Sequence, residues 1–334
     1  GAHMRYLSKM DDVDMVAVAD ISKDSMASRQ EEYGIDGAFT DYRKMLRDVK
    51  PDAVSVCTPN GLHAVASIAA SKAGAHVLVE KPMAMNAGEA QKMINAAKSA
   101  RRKLVIGFQY RYDAKTKFIK DAVDAGRMGK VVYGRIQALR RRGIPNWGVF
   151  GRKDLQGGGP LIDIGVHALE MTHFVMGSPK PVAASGSTFT YLGDRKSDVV
   201  SQWSNWDHKN YTVEDLAIGQ IRFDNGAIIS IEASFAAHIE KGVWNFTLMG
   251  EKAGANWDPP GLFSDDGGYM MNAEPNWLPS GPNADAFGMK MRNFVEHCLY
   301  NNPTMAPAED GLMVQKMLDG IYASAEKGRE VVIR

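Results

Sequence analysis

The sequence predicts an α/β protein: a doubly wound parallel sheet, followed by an α+β domain with a large, mostly antiparallel sheet. Three observations carry this. Over the first hundred residues, short continuously apolar runs alternate with helical segments, the pattern of βαβ units whose sheet is covered on both faces. After about residue 109 the runs lengthen and take on period-2 character. Within them, "FDNGAI" (223–228) places Asn-Gly between two β-rich stretches, the strongest short hairpin signal.

In order, "MVAVAD" (15–20) is an apolar run closed by an acid and reads as a buried strand. "KDSMASRQEEYG" (23–34) reads as a helix stopped by Gly34, and "YRKMLRDV" (42–49) as a second helix. "DAVSVCTP" (52–59) is a strand, "GLHAVASIAASKAG" (61–74) a helix closed by Gly74, and "HVLVEKP" (76–82) a strand. The helix "NAGEAQKMINAAKSARR" (86–102) and the strand "KLVIGF" (103–108) complete a first domain, 1–108. The second domain, 109–334, opens with the helix "AKTKFIKDAVDAGRMG" (114–129). Its sheet is expected from the stretches 130–140, 181–192, 214–238 and 244–258, with the helix "LIDIGVHALEMTHFVMG" (161–177) inserted among them. Two late helices follow, 285–301 and 308–328, the last expected to pack back on the first domain. No repeat or low-complexity linker separates the domains.

The chain has 334 residues, enough for about two domains. Its net charge of +1 argues against nucleic acid or an anionic membrane as partner. One local basic run, Arg140–Arg142, reads either as a solvated edge or as a cofactor or substrate contact. The two cysteines, Cys57 and Cys298, lack metal-ligand spacing, so neither a metal site nor a disulfide framework is expected. Cys57, inside an apolar strand, reads as a buried thiol, and this usage suits a reducing cytoplasm. No apolar run approaches the roughly 18 residues of a membrane span, and no signal peptide is visible.

Three clusters carry chemistry. Asp20, ending "VAVAD", reads either as the acid that bonds a dinucleotide's ribose hydroxyls or as a helix N-cap. "CTPNGLH" (57–63) and "VLVEKP" (77–82) both lie at strand ends, where open α/β sheets bind ligands. There Asn60 is a candidate cap and His63 reads mainly as structural. Lys81, between Glu80 and Pro82, is hard to explain by packing and can present three donors to a substrate hydroxyl. In "GGGPLIDIGVHALE" (157–170), Asp163 and His167 stand four apart, on one face of a helix. They read either as an oriented general base or as a helix-start acid and a core histidine. The glycines before them permit close backbone approach.

"EKP" (80–82), with "GGGPLIDIGVH" (157–167) some eighty residues on, resembles the glucose–fructose oxidoreductase and inositol dehydrogenase family (Gfo/Idh/MocA). "VAVAD", "CTPNGLHAVASIAASKAGAHVLVEKPMAMNAGEA" and "GFQYRY" match the family's order, and the resemblance spans essentially the whole chain. It implies a Rossmann-type first domain that binds NAD, with NADP as the alternative. It implies that Lys81 holds the reacting sugar hydroxyl and that Asp163 and His167 complete the site, His167 as base. Thr58, Pro59, Asn60 and His63 would run along the cofactor, with Glu80 beside the nicotinamide. Gln109 and Arg111 would approach the cleft from the domain crossover. Gly1, His3, Leu7 and Asp20 fall into the family's register for the end of the glycine loop, so the chain is expected to begin partway through that loop, with Asp20 and Ile21 on the cofactor side. The resemblance also implies homodimers or homotetramers formed through the larger sheet.

The function expected from these residues is NAD-dependent oxidation of a hydroxyl on a sugar, glycoside or inositol-like polyol. Substrate choice is expected in the second domain, where aromatic and polar residues mix: Trp147 and Phe150, Trp206, His208 and Tyr211, and His238, with Trp147 and His238 as the selected contacts. Two rival functions share the fold: a glycosidase that oxidises its sugar transiently on tightly held NAD, and a non-catalytic ligand- or NAD(P)-sensing regulator. Intact Lys81, Asp163 and His167 argue against the regulator.

Overall fold

The computed structural model describes residues 1–281 and 284–334. After α1 (Ala2–Leu7) come five short parallel strands: β1 (Ala17–Ala19), β2 (Gly37–Phe39), β3 (Ala53–Val56), β4 (His76–Val79) and β5 (Leu104–Ile106). Between them run α2 (Lys23–Tyr33), α3 (Tyr42–Val49), α4 (Asn60–Lys72) and α5 (Ala87–Ala100). The strands form two parallel ladders, β1–β2 and β3–β4–β5, and no ladder joins β1 to β3 among the described residues. Val77, Leu78 and Val79 of β4 are wholly buried, as a strand covered on both faces must be.

Local chemistry sets the helix ends. Ser22, Asp41 and Asn86 accept hydrogen bonds from the backbone N–H groups of Ser25, Arg43 and Glu89, and Gly34 stops α2 at φ +66°. Asn60 does not cap α4; Pro59 holds that position.

A 3₁₀ turn (Gln109–Tyr112) carries the chain across to the second domain, where Asp113 caps α6 (Ala114–Asp124). The helix ends earlier than its sequence pattern, because Gly126 and Gly129 take left-handed φ values. The large sheet is built from β6 (Val131–Leu139), β7 (Pro181–Phe189), β8 (Leu216–Phe223), β9 (Ile228–Ser234), β10 (Val243–Gly250), β11 (Ala253–Asn256), β12 (Gly261–Asp266), β13 (Tyr269–Ala273) and β14 (Val331–Val332). Its order is β13–β12–β11–β10–β6–β9–β8–β7–β14, antiparallel except for the β6–β9 pair. The Asn225-Gly226 turn joins β8 to β9, with Gly226 at φ +86° and the Asn225 side chain accepting from Ala227 N.

Two differences from the sequence reading have clear causes. Strand β7 stops at Phe189 because the Asp215 carboxylate takes the N–H groups of Tyr191, Leu192 and Gly193, at 2.9, 2.7 and 2.6 Å. The segment read as one helix over 161–177 is a π-helical turn (Leu161–Gly165) running into α8 (Val166–Val175).

α7 (Lys153–Gln156) lies ahead of that turn, while α9 (Ala286–Tyr300) and α10 (Ala308–Lys327) close the chain. α10 packs on β7 and also touches the first domain: Asp319 accepts from Ala87 N at 2.7 Å. No helix among the described residues is long and apolar enough to cross a membrane.

Candidate active site

Lys81 stands just past the end of β4, at a cis Lys81–Pro82 peptide. Its ammonium donates to Asp163 twice, to Oδ1 at 2.9 Å and to the backbone carbonyl at 2.8 Å. Asp163 is therefore paired with Lys81, not with His167 as the four-residue spacing predicts. Both side chains nevertheless face the same cavity, and the tertiary contact with Lys81, not a lost helix face, decides the pairing.

The glycine run that feeds this turn is held by buried Glu214, whose carboxylate accepts from Gly159 N (2.9 Å), Leu161 N (3.2 Å) and the Tyr322 hydroxyl (2.8 Å). A Cβ at Gly159 would strike the Glu214 carbonyl, and one at Gly158 the Tyr322 hydroxyl. Close backbone approach is thus the reason for glycine at both positions. Burial raises the Glu214 pKa, although its hydrogen bonds oppose this.

His167 lies in the first turn of α8, edge-on to Tyr110 with ring centroids 5.3 Å apart. Burial, followed by the nearby Lys81 charge, holds its pKa well below 6.5, so the ring is neutral near pH 7. Its Nδ1 is buried and has no hydrogen-bond partner among the described residues.

Lys81, Asp163, His167 and Trp147 line one cavity of about 300 Å³. Tyr110, Arg140, Pro145, Phe150, Ile164 and Trp244 complete its walls. Tyr110 takes the place expected of its neighbours Gln109 and Arg111, because successive residues of a 3₁₀ turn point about 120° apart. Arg111 is a correction: it is buried and donates to Glu170 (2.8 Å), Asp310 (2.6 Å) and the Met305 carbonyl (2.7 Å), so it ties α8 to α10 and does not reach the cavity. Gln109 also lies outside the cavity wall.

His238 is a second correction. It is exposed, accepts from Arg142 at 2.9 Å, and is not part of the cavity wall. The Arg140–Arg142 run divides between its two readings: Arg140 faces the cavity, while Arg141 and Arg142 donate to the carbonyls of Glu240 and Ala237. Trp206 and Tyr211 are buried, with their polar atoms bonded to the carbonyls of Gly193 and Glu214.

On the cofactor side, Asp20 ends β1 exposed, with Oδ1 accepting from Ser22 N at 2.8 Å. Ser22 itself caps α2, which removes the capping reading of Asp20. Ile21 is almost fully exposed, Gly1 and Pro59 are exposed, and Thr58 Oγ1 is buried without a partner among the described residues. An open acid and an orphaned hydroxyl at the C-terminal ends of parallel strands fit the polar groups of a dinucleotide.

His63 and Asn60 are otherwise engaged. His63 is buried, with ring nitrogens 2.7 Å from the Pro82 carbonyl and 2.9 Å from that of Thr58, so it fastens two loops together. Asn60 donates to the Gln156 carbonyl at 3.0 Å.

His3 corrects another expectation: its ring is buried, bonded to Ser55 and, at 2.6 Å, to Glu80, and is not open to a cofactor. Lys290, from α9, donates to the same Glu80 oxygen at 2.6 Å. Burial alone would raise Glu80, but His3 and Lys290 outweigh it and hold the carboxyl well below the usual carboxylate range. The signal for Lys290 is in the sequence, as a lysine on the apolar stripe that also holds Met291 and Phe294. Cys57, expected to be buried, is exposed. No cluster of three or more metal-ligating side chains occurs among the described residues.

Comparison with known proteins agrees with this architecture. Residues 1–108 match the oxidoreductase family NAD-binding Rossmann fold, and residues 120–333 match that family's C-terminal alpha/beta domain. The D-glucoside 3-dehydrogenase of Escherichia coli K12 is 36% identical over 330 residues, 98% of this chain and 93% of that protein. The myo-inositol 2-dehydrogenase of Thermotoga maritima is 30% identical over 233 residues, 70% of this chain and 64% of that protein. Among solved structures, levoglucosan dehydrogenase in complex with NADH and levoglucosan shares the fold, with a TM-score of 0.85 at 21% identity over 99% of this chain and 95% of that one. The chain is a member of the Gfo/Idh/MocA family of oxidoreductases, and its first domain is that family's NAD-binding Rossmann fold.

Proposed function

We propose that the protein oxidises one ring hydroxyl of a cyclic sugar, glycoside or polyol, with NAD as acceptor. The observation that carries this reading is the convergence of Lys81, Asp163 and His167 on a single cavity whose remaining walls include Tyr110, Trp147, Phe150 and Trp244. At about 300 Å³ the cavity stands at the small end of ligand sites, about 300–1,000 Å³, and suits one sugar ring. The names of the two curated relatives, a D-glucoside and a myo-inositol dehydrogenase, support the same class.

NAD, when bound, supplies the hydride acceptor. Lys81 donates a hydrogen bond to the reacting hydroxyl oxygen and stabilises the negative charge that develops on it. Asp163 orients that ammonium through its double contact. His167, neutral because of burial and the Lys81 charge, accepts the hydroxyl proton. A base with a lowered pKa is a weak one, and Lys81 compensates by making the hydroxyl more acidic. The open carboxylate of Asp20 supports NAD over NADP, since it repels a 2′-phosphate.

The outer face of the large sheet, where Ile218, Met249 and Phe263 are exposed beside Arg135 and Glu232, is the proposed surface for homodimers or homotetramers. The activity is tested by mixing purified protein with NAD and either methyl glucoside or myo-inositol and following reduced nicotinamide. Formation with at least one is expected; NAD binding without turnover of either contradicts the reading.

A further inference from the structure

We infer that a second subsite adjoins the catalytic cavity and takes the near, hydroxyl-bearing edge of a neutral aglycone, such as the second ring of a disaccharide, whose remainder stays in solvent. The inference rests on reading the main cavity as the site of sugar-ring oxidation. A smaller cavity of about 70 Å³ shares Pro145, Trp147 and Phe150 with the main one, so the same aromatic wall borders both spaces. A ring held against Lys81 and His167 therefore has an exit for its substituent over Trp147.

The wall is preset. Asn146 donates to the Ser204 carbonyl at 2.8 Å, and Thr212 N to the Gly151 carbonyl at 2.8 Å, which ties the 143–152 segment to the 203–212 segment at both ends. Trp147 meets the Trp203 ring at 4.8 Å and the Phe150 ring at 6.0 Å. Even so it remains 48% exposed, a large aromatic surface open between two cavities. Aromatic faces take up the C–H faces of sugars by burying apolar area.

The polar groups of the smaller cavity define the ligand class. Arg152 is paired with Asp154, at 2.9 and 3.1 Å, which offsets its charge toward an anionic aglycone. Asp207 accepts from the Asn210 side chain at 2.8 Å, and the two present a carboxylate and an amide at the rim. Such a pair accepts from and donates to hydroxyls, and the carboxylate repels phosphate or carboxylate groups. Neither Asp207 nor Asn210 has a part in the proposed oxidation.

The test compares methyl glucoside with a panel of glucosyl-glucose disaccharides, using wild-type protein and the Asn210→Ala variant with NAD. Asn210 is exposed and its truncation leaves the core intact. The expected result is a disaccharide with kcat/KM above that of methyl glucoside, reduced about fivefold to tenfold by Asn210→Ala, the worth of one hydrogen bond. Methyl glucoside turnover stays unchanged in the variant. Equal effects on both substrate classes, or no disaccharide preferred over methyl glucoside, overturn the subsite while leaving the oxidation reading in place. Failure of the wild type on methyl glucoside, myo-inositol and every disaccharide overturns both.

Discussion

Lys81 and Asp163 lie 82 residues apart in sequence and meet twice, at 2.9 Å through the carboxylate and at 2.8 Å through the backbone carbonyl. The contact joins the first domain to the second at the wall of the main cavity. Asp163→Asn keeps an acceptor but loses the charge that orients the ammonium. Its kcat/KM is expected to fall about 10- to 100-fold, on the scale of a misplaced electrostatic group. Steady-state kinetics check this, and an unchanged kcat/KM removes Asp163 from the mechanism.

His167→Ala is expected to lower kcat by about 10²–10⁴-fold, the usual contribution of a positioned acid–base group. The pH profile adds a second check. Because the folded pKa lies well below 6.5, the wild-type rate holds as pH falls through 6.5 and declines only well below it. Stability has its own sign. The unfolded chain protonates this imidazole near 6.5, so its contribution is complete above that pH and is lost as pH falls below it. Denaturation of wild type and His167→Ala across that range reads the difference directly.

Arg111→Ala strands Glu170 in the core, and breaking a buried ion pair on one side costs about 3–5 kcal/mol. Burial already pushes the Glu170 pKa to about 7, against Arg111's opposing charge. A raised carboxyl contributes stability that is complete below its unfolded value of 4.5 and is lost as pH rises through the folded one. Without Arg111 the folded value rises further, so the variant's deficit is expected to grow from acid toward alkaline pH. Urea denaturation at several pH values tests this; a deficit independent of pH contradicts it.

Asp20→Ala removes the carboxylate at the end of β1. The expected outcome is a rise in KM for NAD of about 10-fold or more, together with improved use of NADP, if Asp20 bonds the ribose hydroxyls and repels a 2′-phosphate as proposed. The ratio of kcat/KM for the two cofactors is the measurement.

Much of the fold is legible in the chain because its signals are local. The apolar runs of β3, β4 and β5, the caps at Ser22 and Asn86 and the Asn225-Gly226 turn all act within a few residues. β13 is not legible, since its five residues are exposed and show no alternation. The site divides similarly. Lys81, Asp163, His167 and Trp147 stand out by residue type and setting, and all line one cavity. The pairing of Asp163 joins residues 82 apart, on a turn whose lead-in Glu214 holds from 53 and 55 residues away, and no local pattern encodes it. The role of Arg111 is hidden for a related reason: its partners Glu170 and Asp310 come from distant helices, and only the packed core shows that its charge is already matched. Tyr110, one residue earlier, carries no chemical signal of its own until the 3₁₀ turn aims it inward.

The most direct test of the central claim is turnover of a cyclic substrate by wild type and Lys81→Met, read as reduced nicotinamide with NAD saturating. The Met side chain keeps much of the lysine stem's volume and removes the donor. The expected result is substrate-dependent reduction of NAD by the wild type and a loss of about 10²-fold or more in the variant, with NAD binding retained. Full activity in Lys81→Met would contradict it.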